Sequence, residues 1–248
     1  MLKKILSILL VITLFTGVCG CMGEKSSGSA NIEAVILYLN EKYDGQFSII
    51  SAVEEFDGYS GKSERYLCNS LQYPDTFSTI IYYDSTYGED IINIGDNEFG
   101  IEDDFAEVVF ENEILNSINL SNNATVKCNI DFHLKHPSKA EFESGLENCL
   151  NNEELLAYVK FYILSDEITS TTEDYSAVEN WISQNKPYTA YIYTAVGLEL
   201  SGNEIDSLYL ENKYNFGNFL TESETFKYVD FTLYEIEEGF SNKKIVKE

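Results

Sequence analysis

From residue 31 onward the apolar positions switch between two spacings. Ile32, Val35, Ile36, Leu39 and Tyr43 recur every three or four residues and predict a helix with one buried face, which Asn31 can cap and Asp44-Gly45 ends. Strands are predicted over 47–53, 65–73 and 77–83. A glycine-rich turn at 57–61 follows the first of them, and Pro74-Asp75 breaks the other two into a hairpin. Helical spacing returns with Phe105, Val108, Val109, Leu115 and Ile118, behind Asp103 and Asp104, where carboxylates favour the helix dipole.

In the second half, 125–134 alternates Val126, Cys128, Ile130, Phe132 and Leu134 against polar partners, a strand with one buried face. A helix over 138–150 carries Phe142, Leu146, Cys149 and Leu150, with Ser138 and Glu141 spaced as a capping box. The strand at 155–164 has large side chains on both faces and so belongs inside a sheet. A polar, threonine-rich loop at 166–174 leads to a helix at 175–185 with Val178, Trp181 and Ile182 inward. A strand at 188–196, weaker strand-like segments at 207–210 and 214–220, and a last strand at 226–235 complete the chain. The pattern predicts an α+β protein with largely antiparallel sheets and packed helices. Its two lobes, 31–120 and 125–240, meet at the turn-forming stretch 119–124.

The first residues follow another rule. Lys3 and Lys4 precede an apolar run from Ile5 to Val18 that is too short for a permanent membrane span, the make-up of a secretory signal. It ends in Val18-Cys19-Gly20-Cys21. This resembles the lipobox of bacterial lipoproteins, although valine stands for the commoner leucine and Cys19 for serine or alanine. The resemblance implies that residues 1–20 are removed and that Cys21 becomes the first residue, carrying a diacylglycerol. The mature protein is then expected on the extracytoplasmic face of the cell membrane, with 21–30 as a small, polar tether. Beyond the signal the chain is similar to uncharacterised surface lipoproteins of Gram-positive bacteria, a likeness that assigns no activity.

Composition narrows the partners. Hydrophobic residues at 44% and aromatics at 14% suffice for a packed core. The formal net charge is −26, and all 42 acidic residues lie beyond the signal while Lys3 and Lys4 are lost with it. Such a field repels polyanions, so nucleic acid is excluded as a partner and cations and basic proteins are favoured. Cys68, Cys128 and Cys149 remain once Cys19 is cleaved off and Cys21 is acylated. Three thiols allow at most one disulfide, with Cys128 and Cys149 nearest in sequence, and their apolar neighbours make all three read as small buried hydrophobes.

Little catalytic chemistry is visible. The acidic stretch 95–104 can be laid on a calcium loop starting at Asp96, but Gly100 then takes a ligand position and Ile101 the position that demands glycine. His133 and His136 form a His-x-x-His pair whose members point to opposite faces of an extended strand, so they read as exposed strand-end side chains. Cys128 faces away from His133 on that strand, which separates thiol from base. No metal, cofactor or catalytic residue is assigned, and the reading leans away from an enzyme. Eighteen tyrosines concentrate on strands. Tyr158, Tyr162, Tyr191 and Tyr193 are the candidate ligand-binding face, able to stack on sugars or peptides. The expected role is a non-catalytic binding or accessory module, attached to the membrane through Cys21 and holding a cell-wall, peptide or basic protein ligand. The alternative is a membrane-anchored enzyme acting on cell-wall or peptide substrate.

Overall fold

A computed structural model describes residues 28–243 apart from 59–60, 75, 84, 87, 89, 122–123, 167 and 197–201. The signal stretch, Cys21 and the start of the tether lie outside the described residues, and none of the described helices is long and apolar enough to cross a membrane.

The fold is α+β, built on two five-stranded sheets. The first follows α1 (Gly28–Tyr43) and contains β1 (Phe47–Gly58), β2 (Gly61–Ser70), β3 (Phe77–Tyr83), β4 (Asp90–Ile94) and β5 (Asn97–Asp103), in the order β1-β2-β3-β5-β4. All its neighbours are antiparallel. Val35, Leu39 and Tyr43 repeat every four residues along α1 and are buried against this sheet. The acidic stretch is not a loop: Ile94 pairs with Asn97 across a two-residue turn in which Gly95 has φ +64°, and residues 97–103 form β5. Glu98 and Glu102 then lie on one face of an extended strand and Asp103 on the other, which removes the calcium-loop geometry.

Between the sheets, α2 (Phe105–Ser117) packs on β3 and on β6 (Thr125–Phe132). It is followed by α3 (Lys139–Ser144), α4 (Leu146–Leu150), β7 (Ala157–Ser165), α5 (Ile168–Asn185) and β8 (Thr189–Val196). Next come α6 (Gly202–Asn212), a 3-10 turn (Lys213–Asn215), α7 (Phe216–Glu222), β9 (Tyr228–Glu235) and β10 (Gly239–Lys243). The second sheet has the order β10-β9-β8-β7-β6. Its β7–β8 pair is parallel, because α5 carries the chain back across the sheet before β8 begins.

Five predicted elements differ in the structure. The helix expected over 138–150 is capped by the Ser138–Glu141 box but breaks at Gly145, where φ is +90°, so α4 starts anew. The expected loop at 166–174 is helical from Ile168. Asp174, fully buried, accepts from Ser121 N at 2.6 Å and Ser121 Oγ at 3.0 Å and ties α5 to the loop after α2. The segments at 207–210 and 214–220 are helices, since Ile205, Tyr209, Phe216 and Leu220 bury one helical face over the sheet. On α2 the inward face is wider than the predicted one: Phe105, Val109 and Ile118 are buried as expected, Val108 and Leu115 turn only half inward, and Glu107 and Glu111 are buried beside Phe110 and Ile114.

One hydrophobic cluster runs from Val35 under the first sheet, through Phe105 and Phe110 on α2, to Val159, Phe161 and Trp181 in the second. Rings from both halves meet in it, Tyr43 at 4.7 Å and Phe142 at 5.8 Å from Phe105. A smaller cluster lies under α6 and α7.

Candidate functional site

The first two turns of α2 place acidic groups where the two sheets meet, and each is held by a different element. Asp103, at the end of β5, accepts from Tyr43 Oη at 2.7 Å and from Tyr38 Oη and Lys42 Nζ at 3.0 Å. Burial and the charge on Asp103 push both tyrosine hydroxyls far above their ordinary range, so they remain donors. Asp104 accepts from Thr79 N at 2.6 Å and lies 3.5 Å from Lys213 Nζ. Two turns on, Glu111 accepts from Asn129 Nδ2 at 3.1 Å and from Ile130 N at 3.3 Å. Its other oxygen is 3.0 Å from Lys213 Nζ. Burial pushes the Glu111 carboxyl up to about 7 against the pull of Lys213. Burial alone would depress the Lys213 ammonium, but Glu111 and Asp104 together raise it.

Glu107 lies between these pairs. Its Oε1 meets His136 Nδ1, while Oε2 has no hydrogen-bond partner among the described residues, although the side chain is only 5% exposed. Burial raises this carboxyl and His136 pulls it down, with burial the stronger. His136 is held in place by its neighbours: the residue before Pro137 is kept extended, and Ser138 immediately afterwards is fixed by the capping box of α3. The imidazole is therefore half-buried against a carboxylate, not exposed as the strand pattern predicts. His133 is exposed on the other side and packs on Tyr158 at 5.2 Å between ring centroids, so the two histidines do not converge.

These groups line a cavity of about 340 Å³ between the sheets. Arg65, Ile81 and Glu102 contribute from the first sheet, and Asn129, Asp131 and Lys160 from the second. Arg65 stands opposite Ile81 and Ile81 opposite Glu102 in the strand register, so the three share the sheet face that turns away from α1. Asn129 stands opposite Lys160 and Asp131 opposite Tyr158. Glu102 accepts from Tyr83 Oη at 2.8 Å. The Lys160 ammonium and the Asp131 carboxylate make no hydrogen bond or ion pair among the described residues.

The four candidate tyrosines share the sheet face that carries Lys160, with Lys160 opposite Tyr191 and Tyr162 opposite Tyr193. They are not equally accessible. Tyr162 is 1% exposed, T-shaped to Phe216 at 5.0 Å and stacked on Tyr193 at 5.2 Å, because α6 and α7 cover this end of the sheet. It is part of the core and not of an exposed face. Tyr158 and Tyr191 lie at the uncovered end, half-buried, and line a second cavity of about 190 Å³ with Tyr188, Glu235, Glu237 and Glu238. Among the described residues Cys68, Cys128 and Cys149 are buried and unbridged, and burial pushes the Cys68 thiol up to about 12 and Cys149 to about 11.

No protein-family model matches the chain, and no curated protein matches it. Among solved structures it is similar in fold to a DUF5037 family protein from Ruminococcus gnavus ATCC 29149. The likeness has a TM-score of 0.50 at 15% identity and covers 86% of this chain and 95% of that one, which is a resemblance of fold alone.

Proposed function

We propose that this chain is an extracytoplasmic lipoprotein, anchored through lipid on Cys21, that binds a small polar ligand in the cleft between its two sheets without transforming it. One observation carries the binding part of the reading. Asp103, Asp104, Glu111 and Lys213 are matched by named partners, yet Glu107 Oε2, Lys160 and Asp131 offer unused hydrogen-bonding capacity at a 340 Å³ cavity. A buried carboxylate oxygen left unpaired costs free energy, and a ligand that supplies the donor recovers it. The cavity is at the small end of ligand sites, which run from roughly 300 to 1,000 Å³. The anchored location rests on the signal and lipobox pattern of residues 1–21.

A second reading, an anchored enzyme acting on cell-wall or peptide substrate, draws on the Glu107–His136 contact, since a carboxylate on one imidazole nitrogen orients the other as a general base. A thermal-shift screen of the full-length protein in detergent, against wall fragments, sugars, amino acids and peptides, separates the two. A ligand at 100 times its Kd adds about 2.7 kcal/mol to the folded state, a rise of roughly 5–10 °C in Tm. A compound that raises Tm and is recovered intact supports the binding reading; turnover lost in His136→Ala supports the enzyme.

A further inference from the structure

Resting on the binding reading, we infer that the ligand of this cleft is a small zwitterion, an amino acid or short peptide, with its ammonium on Glu107 and its carboxylate on Lys160. The unused groups of the cleft carry both signs, Glu107 and the solvent-exposed Asp131 negative and Lys160 positive. Glu107 lines the cavity, and its Oε2, on a side chain 5% exposed, is an acceptor without a donor among the described residues. Its other oxygen is already occupied by His136, so the carboxylate is fixed in orientation before any ligand arrives. A charged donor suits it better than a hydroxyl, because hydrogen bonds to ionised partners are roughly twice as strong as neutral ones. Lys160 supplies the complementary end. It projects from β7 beside Tyr191, its ammonium has no acid partner among the described residues, and Asp131 on the neighbouring strand is not bonded to it.

Simpler ligands satisfy only part of this arrangement. A plain amine pairs with Glu107 and leaves Lys160 unmatched. A plain anion pairs with Lys160, but it must enter against the field of a chain of net charge −26 and leaves Glu107 Oε2 buried and unpaired. A neutral sugar fills the space without using either charge. A zwitterion brings no net charge to the approach and matches both groups once inside. Lys213 is not available for the carboxylate end, being held at 3.0 Å from Glu111 and 3.5 Å from Asp104.

The test is calorimetric titration of the full-length protein in detergent with the standard L-amino acids and a set of glycyl dipeptides. The best binder is then repeated as its N-acetyl and its methyl-ester form. Each blocked form is expected to bind at least tenfold more weakly, the cost of one lost charge-assisted contact. Glu107→Gln is expected to weaken the parent ligand at least tenfold and leave the N-acetyl form's residual affinity unchanged. Lys160→Met should do the same for the ester. Circular dichroism confirms that the variants are folded, and the blocked ligands test the claim on unaltered protein in any case. An N-acetyl form that binds as well as the parent, or a neutral sugar that competes for the cleft, overturns the zwitterion and leaves the binding reading standing. Silence from every amino acid and dipeptide, with another compound raising Tm, has the same meaning. Silence from all classes together with turnover of wall or peptide substrate overturns both.

Discussion

Lys213 Nζ lies 3.0 Å from Glu111 Oε2, and neither side chain is more than 10% exposed, so a 3-10 turn late in the chain supplies the counter-charge for a helix from its first half. Burial holds the Glu111 carboxyl up at about 7. A carboxyl raised in the folded state binds its proton more tightly there than in the unfolded chain. Its contribution to stability is therefore complete below the ordinary value of 4.5 and lost as pH rises through about 7. The span corresponds to about 3 kcal/mol. Urea unfolding of the wild type and of Glu111→Gln at pH 5 and pH 8 should show the wild type losing more stability over that interval. Equal losses would place the titration elsewhere. Lys213→Met strands Glu111 and Asp104 without a cation and should cost about 3–5 kcal/mol at pH 8, and less at pH 5, where Glu111 takes up a proton.

The Ser138 cap reaches beyond its own helix. Ser138 N and Oγ donate to Glu141 Oε2 at 2.8 and 2.6 Å, and the pair fixes the chain two residues after His136. These bonds, with Lys135 nearby, hold the Glu141 carboxyl down at about 2. Its contribution is thus present at neutral pH and is lost as pH falls from 4.5 towards 2. Ser138→Ala should cost about 1 kcal/mol in urea unfolding. It should also loosen the imidazole, seen as a broadened His136 side-chain resonance in NMR, with His133 unaffected. A sharp His136 signal in the variant would show that Pro137 and Glu107 hold the loop without the cap.

The class of fold was legible because most elements bury one clean stripe: Val35, Leu39 and Tyr43 on α1, and Cys128, Ile130 and Phe132 on β6. What escaped was decided by partners distant in sequence. Residues 168–174 look like a loop until Ser121 is placed against Asp174. Ile205, Tyr209, Phe216 and Leu220 do keep helical spacing, but the stripe is interrupted by the 3-10 turn, and Leu208, Leu210, Tyr214 and Phe219 between them blur the period. The cleft was the least legible part. Glu107 and Glu111 stand four apart within the apolar run of α2, a signal that those carboxylates face inward, but nothing nearby in sequence points to His136 or to Lys213 as their partners. Tyr162 was misplaced for a related reason: strand alternation gives its face, and only α6 and α7 decide that this end of the face is covered.

The membrane attachment has its own experiment. If Cys21 is the acylated residue, Cys21→Ala should move the protein from the membrane fraction to the medium or leave it as unprocessed precursor, and labelling with a fatty-acid analogue should fall to background. Cys19→Ala should change neither result. Persistence of label in Cys21→Ala, with loss in Cys19→Ala, would move the cut and the lipid to the rival cysteine.

The two ends of the tyrosine face should behave oppositely on truncation. Tyr162 is buried between Tyr193, Tyr209 and Phe216, so Tyr162→Ala opens a cavity and should cost about 3–5 kcal/mol whatever the ligand. Tyr158 and Tyr191 keep partly open rings at the uncovered end, next to Lys160 in the register, and their replacement by alanine should leave Tm within a few degrees of the wild type. A ligand that extends from the cleft along the sheet passes over these rings, and each stacking contact is worth roughly 1 kcal/mol, about fivefold in Kd. The double variant Tyr158→Ala, Tyr191→Ala should therefore weaken a wall fragment or longer peptide by about 25-fold if the contacts add. A single amino acid confined to the cleft should bind it as before. Equal weakening of both ligands would mean that the rings only support Lys160, and no weakening of either would confine the binding surface to the cleft.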